Sequence, residues 1–178
     1  TTIDDPEAFF QCQIYTGNGS SQSITFDGDT DLQPNFVWTK RRDGTGSHRW
    51  VDTVRGIGKA IYSNDTDQEA SETNYASFDS DGFSFTGDTS VNENTHTYVS
   101  WAWKGDTTSG LSGGNITPSA YNYNATSGFG IYKYTGNGST DQTIPHGLGS
   151  KPQLIFYKRL DSGTNWVAQS NLLGNRVQ

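Results

Sequence analysis

Tyr15–Ser20 reads Tyr-Thr-Gly-Asn-Gly-Ser, and Tyr134–Ser139 spells the same six residues 119 positions further on. One copy would be an ordinary turn, because Gly and Asn accept backbone conformations closed to other residues. Two copies point to a duplicated unit, and the match extends on both sides. Phe10 stands five residues before Tyr15, as Phe129 does before Tyr134. Gln22-Ser-Ile24 corresponds to Gln142-Thr-Ile144, with one residue inserted in the second copy. Pro34-Asn-Phe-Val-Trp-Thr-Lys-Arg-Arg-Asp43 corresponds to Pro152-Gln-Leu-Ile-Phe-Tyr-Lys-Arg-Leu-Asp161, and Trp50-Val51 to Trp166-Val167. Order, spacing and residue character agree over about 40 positions. Tyr15, Gly17, Gly19 and Pro34, with Tyr134, Gly136, Gly138 and Pro152, form the frame of the repeat.

A period this long exceeds that of stacked solenoid repeats, so each unit is expected to be a domain. The chain divides into an N-terminal arm (1–8), a first domain (9–104), a Gly/Ser/Thr/Asn-rich linker (105–127) and the front half of a second, homologous domain (128–178). That division implies a polypeptide that continues. Within the linker, Tyr121 and Tyr123 are candidates to dock it on a neighbour, but its composition reads as solvated.

Strand patterns dominate. Phe-Phe-Gln-Cys-Gln-Ile-Tyr15, Gln-Ser-Ile-Thr-Phe26, Asn-Phe-Val-Trp-Thr-Lys40, Arg-Trp-Val-Asp-Thr-Val54 and Lys-Ala-Ile-Tyr-Ser-Asn64 are β-rich runs bounded by turn residues. Gly82–Gly87 follows an Asp-Gly turn and sets Phe83 and Phe85 on one side. Tyr98–Lys104 alternates, with Val99, Trp101 and Trp103 on one face and Tyr98, Ser100 and Ala102 on the other. The aromatic-rich face, Val99–Trp101–Trp103, is expected to line the core of its own domain. Only Asp65–Ala76 reads as a possible short helix. The pattern predicts an all-β protein of tandem antiparallel β-sandwich or jelly-roll (concanavalin-like) domains, the second incomplete.

The 178 residues carry a net charge of -7, which argues against a nucleic-acid partner, since phosphate binding needs a basic face. Aromatic residues make up 13%, against disorder, and no apolar run approaches a membrane span. Cys12 is the single cysteine, so neither an intrachain disulfide nor a cysteine-rich metal site is available. Asp27, Asp29 and Asp31 have the opening spacing of a calcium loop, but Leu32 and Trp38 replace its Gly and closing Glu, so the match is weak. His48, His96 and His146 complete no catalytic motif, and no cofactor or enzyme activity is expected. Lys40-Arg41 and Lys158-Arg159 are repeated basic pairs in an acidic chain. Arg41 and Arg159, with Trp50 and Trp166 as stacking platforms, are the ligand-binding candidates for an anionic or sugar ligand. The alternative is that the set belongs to the domain framework.

An aromatic residue, Tyr-Thr-Gly-Asn-Gly-Ser, the His146-Gly-Leu-Gly149 stretch, a Pro, an apolar strand, Lys-Arg and Trp-Val in that order resemble a repeated domain of bacteriophage tail-fibre-like virion proteins, especially of marine phages. The opening Thr1–Gln11 resembles the start of such proteins. The resemblance implies a structural subunit of a virion appendage, its particle-proximal part, contributing to host attachment. It further implies a homotrimer made in the host cytoplasm and carried on the virion surface, with other virion proteins and a host-surface glycan as partners. The alternatives are a head-decoration or head-fibre protein on the capsid and a carbohydrate-binding β-sandwich module. The first repeat departs from the pattern with Phe26–Pro34 in place of Ile144–Pro152, so no shared ligand role attaches to His146.

Overall fold

The structure, a computed structural model, describes residues 3–87 and 90–171. The first repeat contains β1 (Phe10–Thr16), β2 (Gln22–Ile24), β3 (Phe36–Arg41), β4 (Arg49–Asp52), β5 (Lys59–Tyr62), β6 (Ala70–Ser71), β7 (Tyr75–Asp79), β8 (Gly82–Phe85) and β9 (Thr97–Trp103). Then follow β10 (Ala120–Asn124), β11 (Phe129–Lys133), β12 (Leu154–Tyr157) and β13 (Val167–Ser170). All named pairings are antiparallel. One sheet runs β1-β9-β3-β4-β5-β6 and a second β2-β8-β7, while β10-β11 and β12-β13 are separate two-stranded ribbons. No helix among the described residues is long and apolar enough to cross a membrane.

The first two sheets pack face to face as an all-β sandwich. Tyr15, Val37, Val51, Ala60, Tyr98 and Ala102 from the large sheet meet Ile24, Tyr75, Phe83 and Phe85 from the small one. Rings interlock across the layer, with Tyr15 stacked on Tyr98 at 5.2 Å and Tyr75 against Phe85 at 5.1 Å. Polar groups inside this core are paired: the Tyr15 hydroxyl donates to the Val91 carbonyl, and the Thr39 hydroxyl bonds those of both Tyr75 and Ser100.

The large sheet is buried on its other face as well. Phe36, Trp50 and Ile61 form a second core with Trp38, Trp103, Phe129, Ile131, Leu160 and Trp166. Hence all four residues of β4 are buried, Val51 toward the sandwich and Trp50 away from it. The large sheet is a middle layer, and the residues after the linker supply the third.

This arrangement reverses the expected sides of β9. Tyr98, Ser100 and Ala102 line the sandwich core, whereas Val99, Trp101 and Trp103 are half-buried on the outer face. The reason is volume. Phe83, Phe85, Tyr75 and Tyr15 already fill the interior, so the middle of β9 offers small residues inward and its indoles outward.

The helix expected in Asp65–Ala76 does not form. That segment holds β6, paired with β5, and leads into β7, which pairs with β8 through a bulge. It is held extended by Glu72, buried against Arg49 at 3.1 Å, and by the Glu69 amide, which donates to the Leu160 carbonyl. The stretch read as a linker contains β10. Tyr121 and Tyr123 are half-buried there, Asn122 and Asn124 are buried, and Tyr123 exchanges two backbone bonds with Thr107.

In the second repeat β12 and β13 pair as their counterparts β3 and β4 do, slid by two residues: Val37 faces Val51, while Tyr157 faces Val167. A slip of two keeps every side chain on its own face.

Candidate functional site: an aromatic seam between the repeats

The Trp of each repeat lies at the start of the strand after the Lys-Arg turn, Trp50 in β4 and Trp166 just before β13. The structure brings these two equivalent residues together, with ring centroids 4.9 Å apart at an edge-on 68°. Trp50 also meets Phe36 and Trp38 at 5.2 Å and Phe156 at 5.6 Å. On the β9 side, Phe129 stacks on Trp103 and touches Phe36. Each aromatic contact adds about 0.5–1.5 kcal/mol beyond its buried area. Neither tryptophan is an open stacking platform: Trp50 is buried, and Trp166 is half-buried with its indole N–H donating to the Tyr62 and Asp65 carbonyls at 3.0 and 2.9 Å.

A polar latch borders the seam. The Thr164 amide donates to the Thr66 carbonyl and the Glu69 amide to the Leu160 carbonyl. The Lys158 ammonium donates to the Thr66 and Thr164 carbonyls at 3.0 and 2.9 Å. Partial burial lowers the Lys158 pKa, opposed by the nearby Asp67 and Asp65. The loop from Lys158 to Trp166 is thereby seated on the Tyr62–Glu69 segment of the first repeat.

Arg41 and Arg159 have different surroundings despite their shared motif. Arg41 pairs with Asp43 at 2.7 Å and Glu93 at 2.9 Å, and lies 2.7 Å from His96 Nδ1. Bonding to Arg41 holds the Asp43 carboxyl far below its ordinary pKa, and Asp43 also accepts the Thr97 amide, tying the β3–β4 turn to β9. Among the described residues Arg159 pairs with Asp161 alone, exposed and at 2.6 Å. His96, which the sequence placed in no motif, completes the first cluster. Its signal lies in the fold, 53 residues from Asp43.

The remaining candidates are dispersed. Asp27, Asp29 and Asp31 are exposed, and among the described residues no three His, Cys, Asp or Glu side chains group to hold a cation. Their loop instead receives the N-terminal arm: the Asp29 amide donates to Glu7, the Thr30 hydroxyl to Asp5, and the Gln11 amide group to the Thr30 carbonyl. His48 Nδ1 accepts the Trp38 indole N–H at 3.0 Å. Burial, then the charge of Lys40, lowers the His48 pKa. His146 accepts the Leu148 amide inside its own loop. Cys12 is a free, exposed thiol on β1.

The repeat frame is packed in one copy only. Tyr15 and Pro34 are buried, and Gly17 abuts the Asn92–Glu93 backbone, where a Cβ would collide. Asn92, fully buried, donates to Asn18, Ser20 and Gly87 and so fastens the Asn18–Ser20 turn to the loop before β9. Tyr134, Gly136 and Gly138 are exposed, and Pro152 is half-buried.

A family model described as a domain of unknown function, DUF7483, matches residues 5–178. No curated protein and no solved structure matches the chain.

Proposed function

The chain belongs to the DUF7483 family, and from that premise we propose that it is a structural subunit of a bacteriophage virion appendage, a tail fibre or fibre-like protein, on the particle surface. The supporting observation is how the repeated motif is used. Trp50 and Trp166 are spent on clamping two β units together, and the loop beside Trp166 is latched by backbone bonds to the first unit. A chain whose repeated residues join its own units is suited to building a rod or arm. A sugar-binding module would instead keep those rings open to a ligand. The motif order around Tyr134–Asp161 adds the likeness to tail-fibre-like proteins. The proposed assembly is a homotrimer, and the outward Phe10 and Ile14 on the free edge strand β1 offer apolar surface for it.

Antibody against the chain, applied to intact phage particles that encode it, tests the reading. Label on a tail appendage supports it, and label on the capsid shell moves the protein to head decoration. Protein found only in the lysate and never on particles overturns it. Light scattering on the purified chain is the companion measurement, with a mass three times that of the monomer expected.

A further inference from the structure

The chain contains two Asn-Gly steps, Asn18-Gly19 and Asn137-Gly138, each at the same place in the repeated Tyr-Thr-Gly-Asn-Gly-Ser turn. Such a step is open to an attack of the chain on itself. The glycine nitrogen can bond the asparagine Cγ and close a cyclic imide, because glycine has no Cβ to block the approach. The six residues around the two steps are identical, so a difference in their chemistry has to come from the fold.

Locally the two turns agree. In each, the Asn Oδ1 accepts the amide of the Ser two residues on, at 2.9 Å for Asn18 and 3.0 Å for Asn137. Both glycines have positive φ, 66° at Gly19 and 77° at Gly138.

Their tertiary surroundings differ. The first turn is laced to the Asn92–His96 loop at the positions that ring closure must move. The Gly17 amide donates to the His96 carbonyl at 2.8 Å, and the Gly17 carbonyl accepts the Thr95 amide at 3.0 Å. The Asn18 amide donates to Asn92 Oδ1 at 3.2 Å. The Gly19 amide, the attacking group itself, donates to the Asn92 carbonyl at 2.9 Å. Asn92 is fully buried, and its Nδ2 holds the Ser20 carbonyl at 2.5 Å. An amide tied this way reacts only after the turn opens.

The second turn lacks this lacing among the described residues. Every residue from Tyr134 to Asp141 is exposed. Nothing lies within 4 Å of where a Cβ on Gly136 or Gly138 would stand, and the Gly138 amide meets no described acceptor. Apart from the Ser139 amide, Asn137 is held by one exposed bond, from its Nδ2 to Gln142 Oε1 at 2.8 Å.

We propose that Asn137 is a modification site that deamidates through a cyclic imide, and that the Asn92 loop keeps its twin Asn18 intact. The Gly138 nitrogen bonds Asn137 Cγ, the Cγ–Nδ2 bond breaks, and Nδ2 leaves as ammonia with the proton the Gly138 nitrogen gives up. Water then opens the imide at either carbonyl. Cleavage at Cγ leaves aspartate, and cleavage at the main-chain carbonyl leaves isoaspartate, whose backbone runs through Cβ and Cγ. Water is the sole co-reactant. The product adds a negative charge to a chain already at -7 and removes the donor to Gln142. This inference is independent of where the protein resides.

The experiment ages the folded full chain in mildly alkaline buffer and follows both sites by mass spectrometry of tryptic peptides. Lys40, Lys133 and Lys151 place the two sextets on different peptides. Conversion is expected to be at least about tenfold faster at Asn137 than at Asn18, with aspartyl and isoaspartyl products both present. In the denatured chain the two sites should convert at comparable rates, because the sextets are the same. Asn92→Ala, with its fold checked by circular dichroism, should speed conversion at Asn18 and leave Asn137 unaltered. The comparison of folded with denatured wild-type chain decides the matter even if that variant does not fold. Equal rates in the folded chain, faster conversion at Asn18, or no conversion at Asn137 while the denatured chain converts would each overturn the proposal. So would a rate difference that survives denaturation, or an aspartyl product alone.

Discussion

Tyr98 and Trp101 lie three positions apart on β9 and face opposite sides of the middle sheet, so they report on different cores. Tyr98 is wholly buried among Tyr15 and its neighbours, and its hydroxyl accepts the Glu93 amide. Tyr98→Ala should cost about 3–5 kcal/mol, the range for a fully buried aromatic. Trp101 touches Trp38 but keeps part of its surface in water, so Trp101→Ala should cost about 1–2 kcal/mol. Denaturant unfolding of both variants decides the matter, and a larger loss at Trp101 would restore the opposite facing. The alternation of this strand was plain in the sequence. Its inward side was not, because the choice depends on how much volume Phe83 and Phe85 bring from another sheet. Gly17 carries a similar lesson: its recurrence as Gly136 was visible, but the approach of Asn92–Glu93 that excludes a Cβ is a tertiary contact.

At the scale of elements, the seam joins β4 to the segment leading into β13, two places the repeat makes equivalent. Trp50→Ala and Trp166→Ala should each destabilise the chain, and the pair should couple. A double-mutant cycle by denaturant unfolding is expected to give about 0.5–1.5 kcal/mol of interaction between the rings. Additive losses would mean that the latch of Lys158, Leu160 and Thr164 holds the repeats without help from this contact. Strands β1 to β5, β8 and β9 were legible from runs of β-branched and aromatic residues between turns. Strand β6 was hidden, because Asp65–Ala76 has a composition that also suits a helix, and pairing with β5 overrides that local preference. Strand β10 was hidden by its Asn and Tyr content, in a stretch whose composition reads as linker until Thr107 and β11 pair with it.

At the scale of the whole molecule, the second repeat is the cover of the first. A fragment ending at Gly105 should retain the sandwich core yet expose Phe36, Trp50, Ile61 and Trp103, the outer side of the middle sheet. It is expected to self-associate and to bind an apolar dye that the full chain binds weakly, as read by light scattering and fluorescence. A monomeric fragment with no dye binding would show that the outer face needs no cover. Among the candidate ligand residues, Trp50 and Trp166 turn inward to this joint, Arg41 to its ion-pair cluster, and Arg159 stays at the surface.

By itself the sequence determined the all-β class, the duplication and its frame, and most strands of the first repeat, because turn residues and period-two alternation act over a few neighbouring positions. Only the tertiary structure decided that the repeats meet through their matching tryptophans, that the large sheet has a core on each face, and that His96 joins Arg41. Those facts depend on which surfaces distant segments bring to one another, and an alternating strand has two faces until a partner covers one of them.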